Sequence, residues 1–156
     1  MGYIWTIENF SVEDINKRLK GNMGEALGIE FIEVGSDYLK AKMPVDHRTV
    51  QPLGILHGGA SAAFAETIGS IAANLAIDRT KYYGVGQQIH TVHLRPALKE
   101  DKFVIGICKP VRLGKTTHVW QIWIYTPDDR LISTSLLTVS IRSNDDLSKR
   151  KRTYDT

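Results

Sequence analysis

A single cysteine, Cys108, in 156 residues excludes an internal disulfide and any cysteine-cluster metal centre. No apolar run approaches the roughly 20 residues that a helix needs to cross a bilayer. No basic segment followed by an apolar one opens the chain, so a cytoplasmic protein with no membrane partner is expected. Charge of one sign is also scarce: 20 Lys and Arg against 17 Asp and Glu leave a formal +3. That total is mild, whereas a nucleic-acid surface needs clustered charge, so no nucleic-acid partner is expected. No internal repeat is evident. What is present is ordinary for a globular chain, since 42% hydrophobic and 24% charged residues argue against both disorder and a fibrous repeat. The length suits one core.

The apolar pattern changes period along the chain. Residues 11–20 open on Ser11, carry Asp14 three positions on and repeat Val12, Ile15 and Leu19 at helical spacing, with Gly21 and Gly24 read as the stop. Residues 29–45 alternate with period two around Gly35-Ser36-Asp37, which predicts a β-hairpin. Residues 58–77 are rich in alanine and apolar on nearly every side, the pattern of a buried helix that other elements approach closely. Strand-like runs follow over 83–95, 102–111, 118–126 and 131–142, separated by turns at 99–101, 113–115 and 127–129. Strands and helices do not alternate, which disfavours a parallel doubly wound sheet. The fold class expected is α+β, an antiparallel sheet wrapped around one long central helix. A helix and lead-in over 1–26, a main domain over 27–142 and a flexible charged tail over 143–156 complete the division.

Several chemical motifs fail on inspection. Gly114-Lys115-Thr116-Thr117 lacks the earlier glycine of a phosphate-binding P-loop, where Lys109 stands, and lies between strands. Gly59 to Ala63 misses the last glycine of a nucleophile elbow. His90 and His93 point to opposite faces of a strand, so no shared metal is expected. Cys108 sits in an apolar strand pattern and reads as a buried, inert thiol.

One constellation remains. Gln51 leads through a short loop to His57-Gly58-Gly59, which runs into the helix that carries Glu66 and Ser70. The first amides of a helix are unpaired and the dipole there favours developing negative charge, so Gly58 has the make-up of an oxyanion hole. Glu66 is the only charged residue between Arg48 and Asp78, and a carboxylate in a buried helix needs a partner or a purpose. Ser70 lies one turn on, within reach of it. The plain alternatives are that His57 merely caps the helix, and that Glu66, Ser70 and Asn74 form a polar stripe, exposed or set against a second chain.

These residues carry a resemblance. Met43 to Thr49, Gln51 to Ser61 and Ala65 to Ser70 look like the hotdog-fold acyl-CoA thioesterases, of the 1,4-dihydroxy-2-naphthoyl-CoA hydrolase and broad-specificity aroyl- and acyl-CoA type, over about residues 27–141. The resemblance implies a hotdog domain that forms a homodimer, usually a dimer of dimers, with its site at the dimer interface, no metal and no cofactor apart from the CoA of the substrate. It gives Glu66 the role of nucleophile or general base, Gly58 that of carbonyl-polarising amide, and His57, Gln51 and Ser70 those of orienting groups. Gly86, then His93-Leu94-Arg95-Pro96, then Arg112-Leu113-Gly114-Lys115-Thr116-Thr117, correspond to segments that bind CoA. Charge agrees with the last point, since Arg95, Arg112 and Lys115 suit nucleotide phosphates. Gln87 to His90 depart from the pattern of the close relatives near the acyl pocket. The expected activity is hydrolysis of an acyl- or aroyl-CoA to the free acid and CoA; a non-catalytic acyl-CoA-binding module is the alternative.

Overall fold

A computed structural model describes residues 2–7 and 10–146. Of the tail expected over 143–156, residues 147–156 lie outside the described residues, while 143–146 are described and Asn144 donates to the Arg79 and Thr80 carbonyls at 3.1 Å. Two short helices lead in, α1 (Val12–Lys17) and α2 (Met23–Ala26). Ser11 and Asp14 form the reciprocal capping box that their spacing suggested, with Ser11 Oγ accepting from the Asp14 amide at 3.2 Å. Gly24 does not end this helix. It lies inside α2, which Asn22 caps, because Asn22 Oδ1 accepts the Gly24 amide at 2.9 Å and restarts the chain as a new turn.

Six strands then build one sheet: β1 (Glu30–Val34), β2 (Leu39–Pro44), β3 (Tyr82–His93), β4 (Phe103–Leu113), β5 (Thr117–Tyr125) and β6 (Leu131–Ser143). Their order is β1-β2-β4-β5-β6-β3, every pair antiparallel. The long helix α3 (Gly58–Leu75) packs against the concave side, the architecture expected. Pro110 is tolerated in β4 because the pairing with β2 ends at Cys108, leaving the outer part of β4 free on that side.

The helix is not buried all round. Its buried residues, Ser61, Phe64, Ala65, Ile68, Gly69, Ala72, Ala73 and Leu75, recur at i+3 and i+4 and form one face. Apolar residues surround the rest of the helix only because alanine is so frequent. The opposite face, with Ala62, Ala63, Glu66, Thr67 and Ser70, is half-buried. Two glycines set the helix-to-sheet distance. A Cβ at Gly69 would stand 2.5 Å from Leu137 Cδ2, and one at Gly106 of β4 would stand 2.5 Å from Ile68 Cδ1.

The loop that leads to α3 is held by charge. Arg48 Nη2 lies 2.6 Å from Asp46 Oδ2, and the guanidinium covers Gly28, whose φ of +70° and lack of a Cβ make room for it. Hydrogen bonds from Arg48 lower the Asp46 carboxyl to about 2. A carboxyl whose folded value lies below its unfolded value of about 3.9 contributes stability above that value and loses it as pH falls. The urea midpoints of wild type and Asp46→Asn should accordingly differ at neutral pH and converge between about pH 4 and pH 2.

Candidate active site

The start and the middle of α3 present different sets of groups. At its start, His57 is the N-cap: its Nδ1 accepts the Gly59 amide at 2.8 Å. The capping reading of His57 is therefore correct, and it also fixes the ring's chemistry. With Nδ1 accepting, the neutral ring carries its proton on Nε2, which is left as a donor. The Gly58 amide, one residue on, has no partner among the described residues and points out of the helix N-terminus.

Gly58 lines a cavity of about 430 Å³ together with Gln51, Ser61, Leu94, Arg95 and Pro96, and His93 forms the wall opposite. A Cβ at Gly58 would lie 2.8 Å from His93 Nε2, so glycine is what lets the imidazole approach the helix end. Gln51 uses its side-chain oxygen to accept the Leu53 amide at 2.7 Å, which turns its Nε2 into the free donor. Arg95 donates to the Leu131 carbonyl at 2.9 Å. The sequence placed His93 only with a ligand-binding segment; its contact with Gly58 and the inclusion of buried Ser61 in this wall had no sequence signal, since both depend on β3 crossing the helix start.

Glu66 and Ser70 line a different cavity of about 640 Å³, on the half-buried flank of α3. Among the described residues the Glu66 carboxylate has no hydrogen-bond or ion-pair partner, and no bond joins it to the Ser70 hydroxyl. Gly86 of β3 presses against it: a Cβ there would stand 2.4 Å from Glu66 Oε1. The register slips between Gly86 and Gln88, a bulge of the kind found beside functional sites. Asn74, the third residue of the stripe, is structural, because its side chain bonds both the amide and the carbonyl of Gly84 at 3.0 Å.

The remaining basic segment forms the β4–β5 hairpin. The Gly114 amide donates to the Thr117 carbonyl at 3.0 Å, and Arg112, Leu113, Lys115 and Thr116 are exposed around it. No group of histidines, cysteines and carboxylates that could hold a metal occurs among the described residues. Cys108 is fully buried, which pushes its thiol far above the range where a thiolate forms.

Comparison with known proteins bears directly on this arrangement. The Thioesterase superfamily pattern matches residues 53–133, the stretch from the Gly58 loop through β3 to β6. The 1,4-dihydroxy-2-naphthoyl-CoA hydrolase of Escherichia coli is 44% identical over 138 residues, covering 88% of this chain and 98% of its own. The chain belongs to the Thioesterase superfamily. The proofreading thioesterase EntH of Cronobacter turicensis is 43% identical over 138 residues, covering 88% of this chain and 98% of its own. The crystal structure of the thioesterase HI1161 from Haemophilus influenzae superposes with a TM-score of 0.85 at 41% identity, covering 90% of this chain and 95% of that one. This superfamily member is a thioester hydrolase with the hotdog fold. No helix among its described residues is long and apolar enough to cross a membrane.

Proposed function

We propose that this thioesterase hydrolyses an acyl- or aroyl-CoA to the free carboxylic acid and CoA, in a site that two copies of the chain complete together. The observation that carries the reading is the separation of the two half-sites within one chain. Gly58 and Glu66 are eight residues apart on one helix, a rise of roughly 12 Å. A carbonyl oxygen held by the Gly58 amide cannot also lie against the Glu66 carboxylate of the same chain.

The strands show the same division. His93 pairs with Ser133 of β6, whereas Val85 pairs with Ser140 and Gly86 with Val139. Seven residues along β6 separate the first pair from the second, roughly 23 Å of strand. Gln51, Gly58 and His93 to Pro96 thus lie at one end of the sheet. Glu66, Gly86 and the Arg112–Thr117 hairpin, which reaches Ser140 through Thr117, lie towards the other.

β3 is an edge strand of twelve residues with no partner on its outer side among the described residues, and its exposed residues include Val85 and Val92. Such an edge invites pairing with another strand. An antiparallel copy related by a two-fold axis between Ile89 and His90 sets Gly86 of one chain opposite His93 of the other. Glu66 of one copy then faces Gly58 of its partner, and the basic hairpin of one approaches Arg95 of the other. Both halves gain the group they lack.

In that assembly the Gly58 amide, the dipole of the 18-residue helix and the free donor of Gln51 hold the thioester oxygen as it becomes negative, while His57, which lines a neighbouring cavity with Arg48 and Gly59, acts by fixing the helix start. Glu66 acts either by removing a proton from water as it attacks the carbonyl carbon, or by attacking that carbon itself to give an anhydride that water then cleaves. Either route breaks the C–S bond and adds one water across it, the hydroxyl going to the acyl carbon to give the acid and the proton to the sulfur to release CoA as the thiol. Arg112, Lys115 and Arg95 bind the CoA phosphates.

Incubation of the protein with a panel of CoA thioesters and a thiol-trapping reagent tests the reading. Equal yields of free acid and thiol are expected; binding of the thioesters without thiol release would mark a non-catalytic acyl-CoA-binding protein. Gly86→Ala provides a finer check. Its methyl would push the Glu66 carboxylate aside without requiring a forbidden backbone angle, so turnover should fall by about tenfold to a hundredfold with the unfolding midpoint little changed.

A further inference from the structure

The cavity that holds Glu66 extends away from the helix start, between the half-buried flank of α3 and the corner where α1 meets α2. Its floor is small or apolar, with Ala62, Ala63 and Ile71 from the helix and Leu19 and Met23 from the corner. Two charged side chains line it, Glu66 and Arg18. At about 640 Å³ it has the size of a small-molecule pocket.

Arg18 has no evident structural task. Only its main chain is used, its amide donating to the Ile15 carbonyl and its carbonyl accepting from Asn22 Nδ2 at 2.7 Å. Its guanidinium has no hydrogen-bond or ion-pair partner among the described residues. Asp14, the acid one turn away, is already engaged by Ser11 and by Lys17 at 3.2 Å. Arg79, in the turn after α3, is close enough to act on Arg18 as a like charge, and it too lacks an acidic partner among the described residues. Partial loss of hydration and the Arg79 charge together hold Arg18 below the ordinary arginine range. Arg18 is exposed and lines the cavity, whereas Arg79 lies outside its lining, so the Arg18 guanidinium keeps its donors free for an anion that enters along the apolar floor. Glu66 cannot be that anion, since no ion pair joins it to Arg18 and the proposed chemistry requires it at the thioester.

We propose that Arg18 determines substrate specificity by receiving a carboxylate at the far end of the acyl group, so that the preferred substrates are CoA monothioesters of dicarboxylic acids. The inference rests on the reading of Glu66 as the group that acts at the thioester. The methylene or aryl part of the acyl group then runs over the alanines and Ile71, with the thioester at Glu66 and the free carboxylate at Arg18. A guanidinium is suited to this task because it keeps its charge and offers a fork of donors to the two carboxylate oxygens.

The test uses the wild-type chain and Arg18→Met, which keeps an unbranched apolar stem and the helix propensity and removes the guanidinium with its charge. Binding of non-hydrolysable CoA thioethers is measured by calorimetry, with ω-carboxyalkyl chains of four to eight carbons compared with neutral alkyl chains of equal length. Turnover of the matching thioesters is followed by thiol release. The expected result is that wild type favours the carboxyalkyl form at one or more lengths by about ten- to hundredfold, and that Arg18→Met loses this preference while its binding of the neutral series is unchanged. A wild type that favours the neutral series, or a preference that survives in Arg18→Met, overturns the proposal. If the thioethers show the Arg18-dependent preference but no thioester releases thiol, the specificity assignment stands and the hydrolytic reading of this site falls.

Discussion

Glu66→Gln is expected to lower the turnover number for a CoA thioester by about a hundred- to ten-thousandfold, with little change in folding or in binding of CoA. The substitution keeps the size and shape of the side chain and removes only its basicity. Because the Glu66 carboxylate has no partner among the described residues and lies on the half-buried flank of α3, its loss leaves no buried group unsatisfied. The effect should appear in kcat more than in KM, since the negative charge is needed as the tetrahedral species forms rather than when the thioester binds. Stopped-flow thiol release and thermal unfolding of the same preparation read the two quantities separately. Turnover within tenfold of wild type would remove Glu66 from the chemistry.

The opposite face of the same helix should behave in the reverse manner. Phe64→Ala is expected to destabilise the fold by about 3–5 kcal/mol, the usual cost of emptying a buried aromatic site. Phe64 has no exposed surface, and its ring edge stands 3.0 Å from where a Cβ on Gly106 would be, so β4 already lies as near as its backbone permits. The sheet therefore has little room to collapse into the cavity. Against a total stability of about 5–15 kcal/mol, such a loss lowers the unfolding midpoint by roughly 6–20 °C for a chain of this size. Urea titration of wild type and variant measures it, and a loss below about 1 kcal/mol would mean that the helix is not the centre of the core.

The contrast between these two positions shows what was legible in the sequence. The run over 58–77 announced a helix, which spans Gly58–Leu75, and the single carboxylate within it marked a candidate site. The alanine-rich pattern hid which side of that helix was buried. Alanine contributes to an apolar pattern wherever it stands, so the half-buried flank with Ala62 and Ala63 looked the same as the core face with Ala65 and Ala72. The bulkier Phe64, Ile68 and Leu75 point out the buried side, while Ile71 on the half-buried flank blurs even that signal.

Local chemistry was readable where it depends on near neighbours. The Ser11–Asp14 box, the hairpin at Gly35 and the strand turns all formed where their residues suggested. The capping of α2 by Asn22 was hidden, because Gly24 reads as a stop until Asn22 supplies the acceptor that restarts the chain. Contacts made across the fold left no trace in the sequence. Gly86 and Glu66 are twenty positions apart, Gly58 and His93 thirty-five, and each pair meets only because β3 lies along the helix. Arg18 gave no signal either, for a solvated basic residue on a short amphipathic helix is the ordinary expectation.

The central claim is that one copy of the chain supplies Glu66 and its partner supplies the Gly58 amide. Gly58→Pro deletes that amide at the first helical position, where the backbone accepts proline after His57 at φ −69° and ψ 132°, and its ring also displaces His93 of the same half-site, so that half-site is lost while the chain's own Glu66 is kept. The decisive measurement is thiol release by differently tagged Glu66→Gln and Gly58→Pro chains, each inactive alone, after co-expression in equal amounts. Random pairing makes half of the dimers mixed, and each mixed dimer holds one site with neither substitution, so about a quarter of the wild-type rate is predicted. A mixture no more active than the two variants measured apart would contradict the shared site and the mechanism built on it.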